Sequence, residues 1–210
     1  MRRRRLLTGD NLYNIDFFKE HLRLRQTRKR FIHSLNVADA AVELAKIYGE
    51  DTEKAYVAGL LHDICKDMEH SEQRSYALEC RYPMTREEAR CKQLWHAVAG
   101  AQYSFSTFGV EDEDILRAIR YHTVGRPDMS RLEEIIYVAD LVSIERKYRD
   151  AARIRKLAQT DLNAAILEIL RFSVECVARK CGVLPILTAE AYNQYIFVCE
   201  SMREIKESES

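Results

Sequence analysis

Helix-breaking residues are scarce in this chain, and their scarcity constrains the fold more than any other feature of the sequence. Only 3 prolines and 7 glycines occur among 210 residues. These residue types supply most tight turns and end most helices. Their scarcity favours long helices joined by short connections over a turn-rich β architecture. We therefore predict an all-α fold.

The spacing of apolar residues locates the helices. Several long segments have apolar side chains three and four residues apart, and none shows the sustained alternation of a strand. Gly49 follows the first segment as a C-terminal stop, and capping-box spacings at Thr85 and Ser130 start two others. We predict helices over residues 29–48, about 53–67, 130–148, 161–180 and 188–206. Another starts at Thr85 and carries Trp95 and His96, and a further one begins within residues 111–122. The pattern predicts one domain of seven to nine helices across residues 1–210, with frayed ends at 1–10 and 206–210.

Six possible metal ligands lie in or beside these helices. Asp140 shares a helix face with Ile136 and Ile144, where an unpaired carboxylate would be costly to bury. A bound cation, or an ion pair with Arg146 or Arg120, would offset that cost. A single histidine in a helix is more often a core or surface residue than a ligand, so the prediction depends on the group. The candidate ligands are His33, His62, Asp63, His96, His122 and Asp140, within a core of about residues 29–146.

The residue types of this group indicate its chemistry. Imidazole and carboxylate ligands suit iron, manganese or zinc. Four histidines and two aspartates are enough for two ions, and two ions can clamp a phosphoryl group during hydrolysis. Adjacent placement of His62 and Asp63 lets the two side chains address neighbouring ions, with the carboxylate as a bridge. The group therefore predicts a phosphohydrolase with two divalent metal ions.

Several motifs also carry a family resemblance. The order H…HD…D, formed by His33, His62-Asp63 and Asp140, resembles the HD-domain metal-dependent phosphohydrolases. The segments KRFIHSLNVAD, AGLLHDICKD, HAVAGAQ, AIRYHTVGRPDMSRLEEIIYVAD and AYN resemble the YqeK family of bacterial HD-domain proteins, from about residue 11 to 200. That resemblance implies a helical bundle of the HD type. It also implies symmetrical hydrolysis of dinucleoside tetraphosphates, above all diadenosine tetraphosphate to two ADP, on a di-iron centre.

The resemblance also implies roles for individual residues. It assigns His33, His62, Asp63 and Asp140 to one iron, and His96, His122 and the bridging Asp63 to the other. Substrate contacts would come from the HD-x-x-K lysine, the HT-x-G segment and two arginines. These residues are Lys66, Thr123, Gly125, Arg126 and Arg146. Where the family tends to have an acidic residue and a proline before the arginine, this chain has Ser143 and Ile144, so base or ribose recognition is expected to differ there.

A mechanism follows as a hypothesis. Two ions would bind the phosphate chain and lower the pKa of water toward about 7, so that hydroxide attacks phosphorus at neutral pH. Asp63 and Lys66 are the predicted catalytic residues, Asp63 as the bridge and Lys66 as an acid or a phosphate contact. ADP leaves as a stabilised anion, which reduces the need for a strong general acid.

Rival functions remain open at this stage. Another HD-type nucleotidase or nucleoside triphosphohydrolase would use the same ligands. A non-catalytic nucleotide-binding or RNA-binding regulator would draw support from the Arg2–Arg5 run, although a solvated tail is the simpler interpretation of that run. A helical scaffold with incidental histidines is a third alternative. Six intact ligand positions favour an enzyme over the regulator, and Asp140 on an apolar helix face together with the clustered motif matches argues against the scaffold.

Composition bounds the partners and the location. Lys+Arg and Asp+Glu both number 33, which gives no bulk electrostatic case for nucleic acid or a membrane. No run of about 18 apolar residues predicts a membrane span. Six cysteines without a C-x-x-C pair favour free thiols in a reducing cytoplasm. The expected ligand is a dinucleoside polyphosphate or another nucleotide such as ADP or GDP, and apolar helix faces leave a homodimer open.

Overall fold

The computed structural model describes residues 13–146, 150–180 and 182–208. Within these ranges the chain forms helices and connections without strands, which confirms the all-α prediction. The helices are α1 Ile15–Arg25, α2 Arg28–Tyr48, α3 Thr52–Leu61, α4 His70–Glu79, α5 Arg86–Arg90, α6 Trp95–Phe108, α7 Glu113–Tyr121, α8 Arg131–Val142, α9 Ala151–Ala158, α10 Leu162–Arg179 and α11 Ile186–Ser208, with a 3₁₀ turn at Lys92–Leu94. The prediction of seven to nine helices is therefore too low.

Local side-chain chemistry sets the ends of the helices that carry the site. Thr27 caps α2, because its side chain accepts a hydrogen bond from the Arg30 amide. Gly49 ends α2 in the left-handed conformation (φ 71°), as predicted. The capping box of Ser130 and Glu133 is present and opens α8.

Other helix boundaries differ from the predictions. The capping box at Thr85 is present but opens only the five-residue α5, because Cys91 is extended and a 3₁₀ turn separates α5 from α6. The helix predicted to reach residue 148 ends at Val142, where Ser143 adopts an extended conformation. The last helix begins at Ile186, two residues before the predicted start. Three helices, α1, α4 and α9, were not predicted.

Helices α2, α3, α7 and α8 form the centre of the bundle. Helix α2 packs against α3 and α8, and α7 packs against α3, α6 and α8. Helix α6 lies between α4 and α7, and α10 packs against α8, α9 and α11. Buried apolar side chains from every described helix except α5 form one hydrophobic cluster. The central four helices bring distant parts of the sequence to one place.

Some predictions fall at the edges of the described residues. The expected frayed end at 1–10, including Arg2–Arg5, lies outside them. At the other end α11 continues to Ser208, so residues 206–208 are helical, while 209–210 lie outside the described part. Among the described helices, none is long and apolar enough to cross a membrane.

Candidate metal centre

The six candidate ligands lie together in the centre of the bundle. Five are buried, and the Asp140 side chain retains 16% exposure. They come from four central helices and from the start of α6, which no local sequence pattern could bring together. His33 lies in α2, His62 and Asp63 directly follow α3, His96 begins α6, His122 follows α7, and Asp140 lies in the last turn of α8.

Asp63 lies between two pairs of imidazoles. Its Oδ1 is 3.2 Å from Nε2 of His96 and 3.5 Å from Nε2 of His122. Its Oδ2 is 3.5 Å from Nε2 of His62 and 3.7 Å from Nε2 of His33. The two oxygens of one carboxylate therefore face two separate pairs of nitrogen donors, which is the arrangement expected of a bridging ligand.

Asp140 completes one side of this arrangement. Its Oδ1 is 3.0 Å from Nε2 of His33 and 3.9 Å from Nε2 of His62. The two imidazole Nε2 atoms are 3.3 Å apart. Ligand atoms within 4.8 Å of one another form three triads: His33–His62–Asp63, Asp63–His96–His122 and His62–His122–Asp140. The first two triads separate as the predicted ligand sets do, while the third joins the two sides.

The turns after α3 and α7 orient two of the imidazoles. His62 Nδ1 is 2.7 Å from the Gly59 carbonyl oxygen, and His122 Nδ1 is 2.8 Å from the Ile119 carbonyl oxygen. A carbonyl oxygen only accepts, so Nδ1 carries a proton, and in the neutral form of each imidazole the Nε2 lone pair is directed toward the cluster. Because α3 ends at Leu61, His62 and Asp63 do not continue a helix, and the turn rather than a 100° helical step sets their directions.

The donor set fits divalent metal ions. Asp63 Oδ1 is buried and accepts no hydrogen bond of good geometry among the described residues, a costly state that a cation would relieve. Burial alone would raise the pKa of Asp63, but the neighbouring imidazoles, His62 foremost, hold it well below its usual value. Burial lowers the pKa of His96 to about 4, which keeps this imidazole neutral at pH 7 and available as a ligand.

Three cationic side chains surround the ligands. Arg30 forms an ion pair with Oδ2 of Asp63. Arg146 Nη2 lies 2.5 Å from Oδ1 of Asp140, and its Nε donates to the Asp140 carbonyl oxygen at 2.9 Å. Lys66 Nζ lies 3.1 Å from Nε2 of His96, and burial lowers the lysine pKa. Lys66 and Arg146 were predicted at the site, whereas Arg30 was missed.

The other predicted substrate residues differ in their surroundings. The Thr123 hydroxyl is buried and has no hydrogen-bond partner among the described residues. Gly125 has φ +63°, a conformation that favours glycine, and a Cβ there would lie 3.4 Å from the Tyr137 ring. Arg126 pairs with Glu133 at 2.9 Å, and in the described part of the chain no hydrogen bond or ion pair joins it to the six ligands. The arginine charge is thus already neutralised.

Comparison with known proteins agrees with this fold. The family model described as HD domain matches residues 30–144. A Halalkalibacterium halodurans protein named "Bis(5'-nucleosyl)-tetraphosphatase, symmetrical" is 36% identical over 87% of this chain and 95% of its own length. A Bacillus subtilis protein of the same name is 39% identical over 73% of this chain and 82% of its own length.

A solved structure of an HD superfamily hydrolase also matches this fold. The crystal structure of a "predicted HD superfamily hydrolase involved in NAD metabolism" from Clostridium acetobutylicum superimposes with a TM-score of 0.84 and 39% identity. The match covers 89% of this chain and 98% of the other. The fold and the His/Asp cluster thus define an HD-domain hydrolase. Within that class, the chain belongs to the YqeK-type family, whose curated members are named symmetrical bis(5'-nucleosyl)-tetraphosphatases.

Proposed function

We propose that this hydrolase cleaves dinucleoside tetraphosphates symmetrically, above all diadenosine tetraphosphate to two ADP. The observation that carries the proposal is the position of Asp63, whose two carboxylate oxygens face two pairs of imidazoles. A bridging carboxylate suits a site for two ions, and such sites serve displacement at phosphorus. The names of the relatives from Halalkalibacterium halodurans and Bacillus subtilis supply the substrate.

The ligands divide into two sets in this proposal. His33, His62 and Asp140 would hold one divalent ion and His96 and His122 the other, with Asp63 shared between them. When bound, the ions polarise phosphoryl oxygens and lower the pKa of water. Imidazole and carboxylate donors suit iron, and they suit manganese and zinc as well.

The chain's own cations would bind the phosphate oxygens. Two of these cations already form ion pairs in the centre, Arg30 with Asp63 and Arg146 with Asp140. The third, Lys66, contacts His96. Oxygens of a tetraphosphate would compete for these cations and gain charge-assisted hydrogen bonds. We assign Lys66 to phosphate contact and to stabilisation of transition-state charge, alongside its predicted catalytic role.

Thr123 would donate its unpartnered hydroxyl to a phosphate oxygen, and the bend at Gly125 would give the phosphate chain room. The predicted contact from Arg126 is the weakest of the set, since Glu133 holds its guanidinium.

The bond changes balance in a simple way. A water oxygen forms a bond to one of the two central phosphorus atoms, and the bond from that phosphorus to the central bridging oxygen breaks. One ADP takes the water oxygen in its terminal phosphate, the other leaves with the bridging oxygen, and the protons of the water pass to solvent. ADP is a stabilised anion, so the leaving oxygen needs charge neutralisation more than a proton. Lys66 can supply that charge.

Product analysis tests the proposal. The metal-loaded protein is incubated with diadenosine tetraphosphate in ¹⁸O-labelled water, and the nucleotides are separated by chromatography and weighed by mass spectrometry. We expect ADP as the sole nucleotide product, with one label in every second molecule. Equimolar AMP and ATP would contradict symmetrical cleavage. Nucleotide binding without turnover would favour a regulator, and turnover of mononucleotides or nucleoside triphosphates alone would favour the rival nucleotidase or triphosphohydrolase.

Four further assignments belong to this proposal as predictions. Iron is the predicted metal because the family resemblance implies it. A single HD-type domain across the chain is predicted from its unbroken helical pattern. A cytoplasmic location is predicted from composition and free thiols, while the apolar helix faces leave monomer and homodimer as alternatives. Metal analysis, limited proteolysis, cell fractionation and light scattering test them in turn.

A further inference from the structure

His33 differs from His62 and His122 in the group that binds its Nδ1 atom. His62 and His122 follow the ends of their helices, and each donates Nδ1–H to the carbonyl oxygen three residues earlier. His33 lies inside α2, in its second turn, where the backbone carbonyls of the preceding turn already accept the helical hydrogen bonds. Its Nδ1 therefore needs a partner from another part of the chain.

Glu145 supplies that partner. Its Oε1 lies 2.5 Å from Nδ1 of His33, although the two residues are 112 positions apart. The carboxylate is itself held on both oxygens. Ser143 Oγ donates to Oε1 at 2.8 Å, and Asn36 Nδ2 donates to Oε2 at 2.8 Å. Ser143 and Asn36 thus hold the Glu145 carboxylate in place against the His33 imidazole.

The segment that carries Glu145 also contacts Asp140. Arg146, the next residue, contacts the side chain and the carbonyl oxygen of Asp140. Its amide donates to the Ser143 carbonyl oxygen at 3.0 Å, which closes a turn over residues 143–146. The turn after α8 therefore places a carboxylate on His33 and a guanidinium on Asp140.

We infer that Glu145 is the positioning residue for His33, and that it fixes the ring so that Nε2 faces Asp63 and Asp140. An ionised carboxylate only accepts hydrogen bonds, so it keeps the proton on Nδ1 and makes Nε2 the donor atom to a cation. The ring orientation follows, with Nε2 3.0 Å from Oδ1 of Asp140. The inference rests on the metal centre of the proposed function and not on its substrate.

Two variants and one control test this role in the zinc-loaded protein, by competition with a chelator. Partners of this kind are usually worth about 10–100-fold in metal affinity. Glu145→Ala should weaken one of the two zinc ions by about that factor and leave the other unchanged. Glu145→Gln should have a smaller effect, because its amide oxygen still accepts from Nδ1. Asp39→Asn is the matched control, since Asp39 lines the same groove as Asn36 and Ile144, and it should change neither ion.

A spectroscopic measurement separates positioning from a general loss of structure. In ¹⁵N-labelled zinc protein, the Nδ1–H signal of His33 should exchange slowly with water. Glu145→Ala should abolish that protection while the Nδ1–H signals of His62 and His122 persist. Unchanged zinc affinity, or equal weakening of both ions with loss of all three signals, would overturn the inference. Failure of the unmodified protein to bind zinc would contradict the metal centre itself.

Discussion

Gly59 and Ala38 lie at the crossing of α2 and α3, where a Cβ on Gly59 would be only 2.8 Å from the Cα of Ala38. The neighbouring atom is backbone and cannot rotate away. Gly59 is also the residue whose carbonyl oxygen orients His62, three residues further on. The close approach of these two helices therefore sets the distance between His33 on α2 and the His62–Asp63 pair that follows α3.

Gly59→Ala should separate α2 from α3 and damage the metal centre. Overpacking of a tight crossing costs about 1–3 kcal/mol in the free energy of unfolding, and His62 and Asp63 would shift relative to His33. Urea unfolding and metal analysis measure the two effects. Gly100→Ala is the comparison, because the nearest atom to its Cβ would be a side-chain carbon of Ile119 at 3.3 Å rather than a backbone atom at 2.8 Å. Wild-type stability and metal content in Gly59→Ala would contradict the importance of this crossing.

Lys66→Met should lower turnover without removing metal. The lysine contacts His96 but is not among the proposed ligands. Loss of a cation that stabilises transition-state charge costs about 10²–10³-fold in kcat. Steady-state kinetics with diadenosine tetraphosphate, together with metal analysis, measure this effect. Lys92→Met is the control, because it removes an exposed charge from the 3₁₀ turn before α6, the helix of His96. A Lys66→Met protein with normal kcat would exclude a catalytic role for Lys66.

Arg30→Met should weaken substrate binding more than it slows turnover. Arg30 pairs with Asp63 and retains 26% side-chain exposure, so a phosphate oxygen can reach it. A charged hydrogen bond contributes about 1.5–3 kcal/mol, which predicts a KM increase of about 10–100-fold. Arg28→Met, two residues earlier on α2 and exposed, should leave KM unchanged. If both variants behave alike, Arg30 has no specific contact with substrate.

Glu88 and Arg120 should contribute to stability rather than to chemistry. Both are fully buried, with two contacts of 2.8 Å, and Arg120 also donates to the carbonyl oxygens of Tyr82 and Pro83. Removal of one partner leaves an unpaired buried charge, at a cost of about 3–5 kcal/mol. Urea unfolding of Arg120→Met, Glu88→Met and the double variant measures the coupling. Losses below about 1 kcal/mol in both single variants would contradict this role.

Residue types and the motif matches together were enough to single out six side chains that the fold brings together, because few histidines and aspartates lie on apolar helix faces. His33 and Asp140 stood out in this way, and Gly49 marked the end of α2 correctly. Sequence spacing could not show how near the ligands are, since that depends on the packing of α2, α3, α7 and α8. It also could not show that the capping box at Thr85 opens a helix of only five residues, because the extended Cys91 interrupts it.

Charged residues were harder to interpret. Arg30 lies one helical turn before His33, a spacing that could have suggested it, but an arginine in a polar segment also fits a solvated surface. Glu145 was missed because its partner is 112 residues away. Arg126 was predicted to bind substrate, and only the fold shows that Glu133, seven residues later, already holds it. Long-range ion pairs of this kind leave no local pattern in the sequence.

In the proposed metal centre one carboxylate, Asp63, serves two ions, and metal analysis of Asp63→Ala is the strictest test of this arrangement. Asp63 is 3% exposed, and its two oxygens face different imidazole pairs. We predict two metal ions per chain in the unmodified protein. Asp63→Ala should lose both ions and all turnover, while Glu69→Gln, the removal of a nearby exposed carboxylate, should keep them. An Asp63→Ala protein that retains two ions, or remains active without metal, would contradict the account.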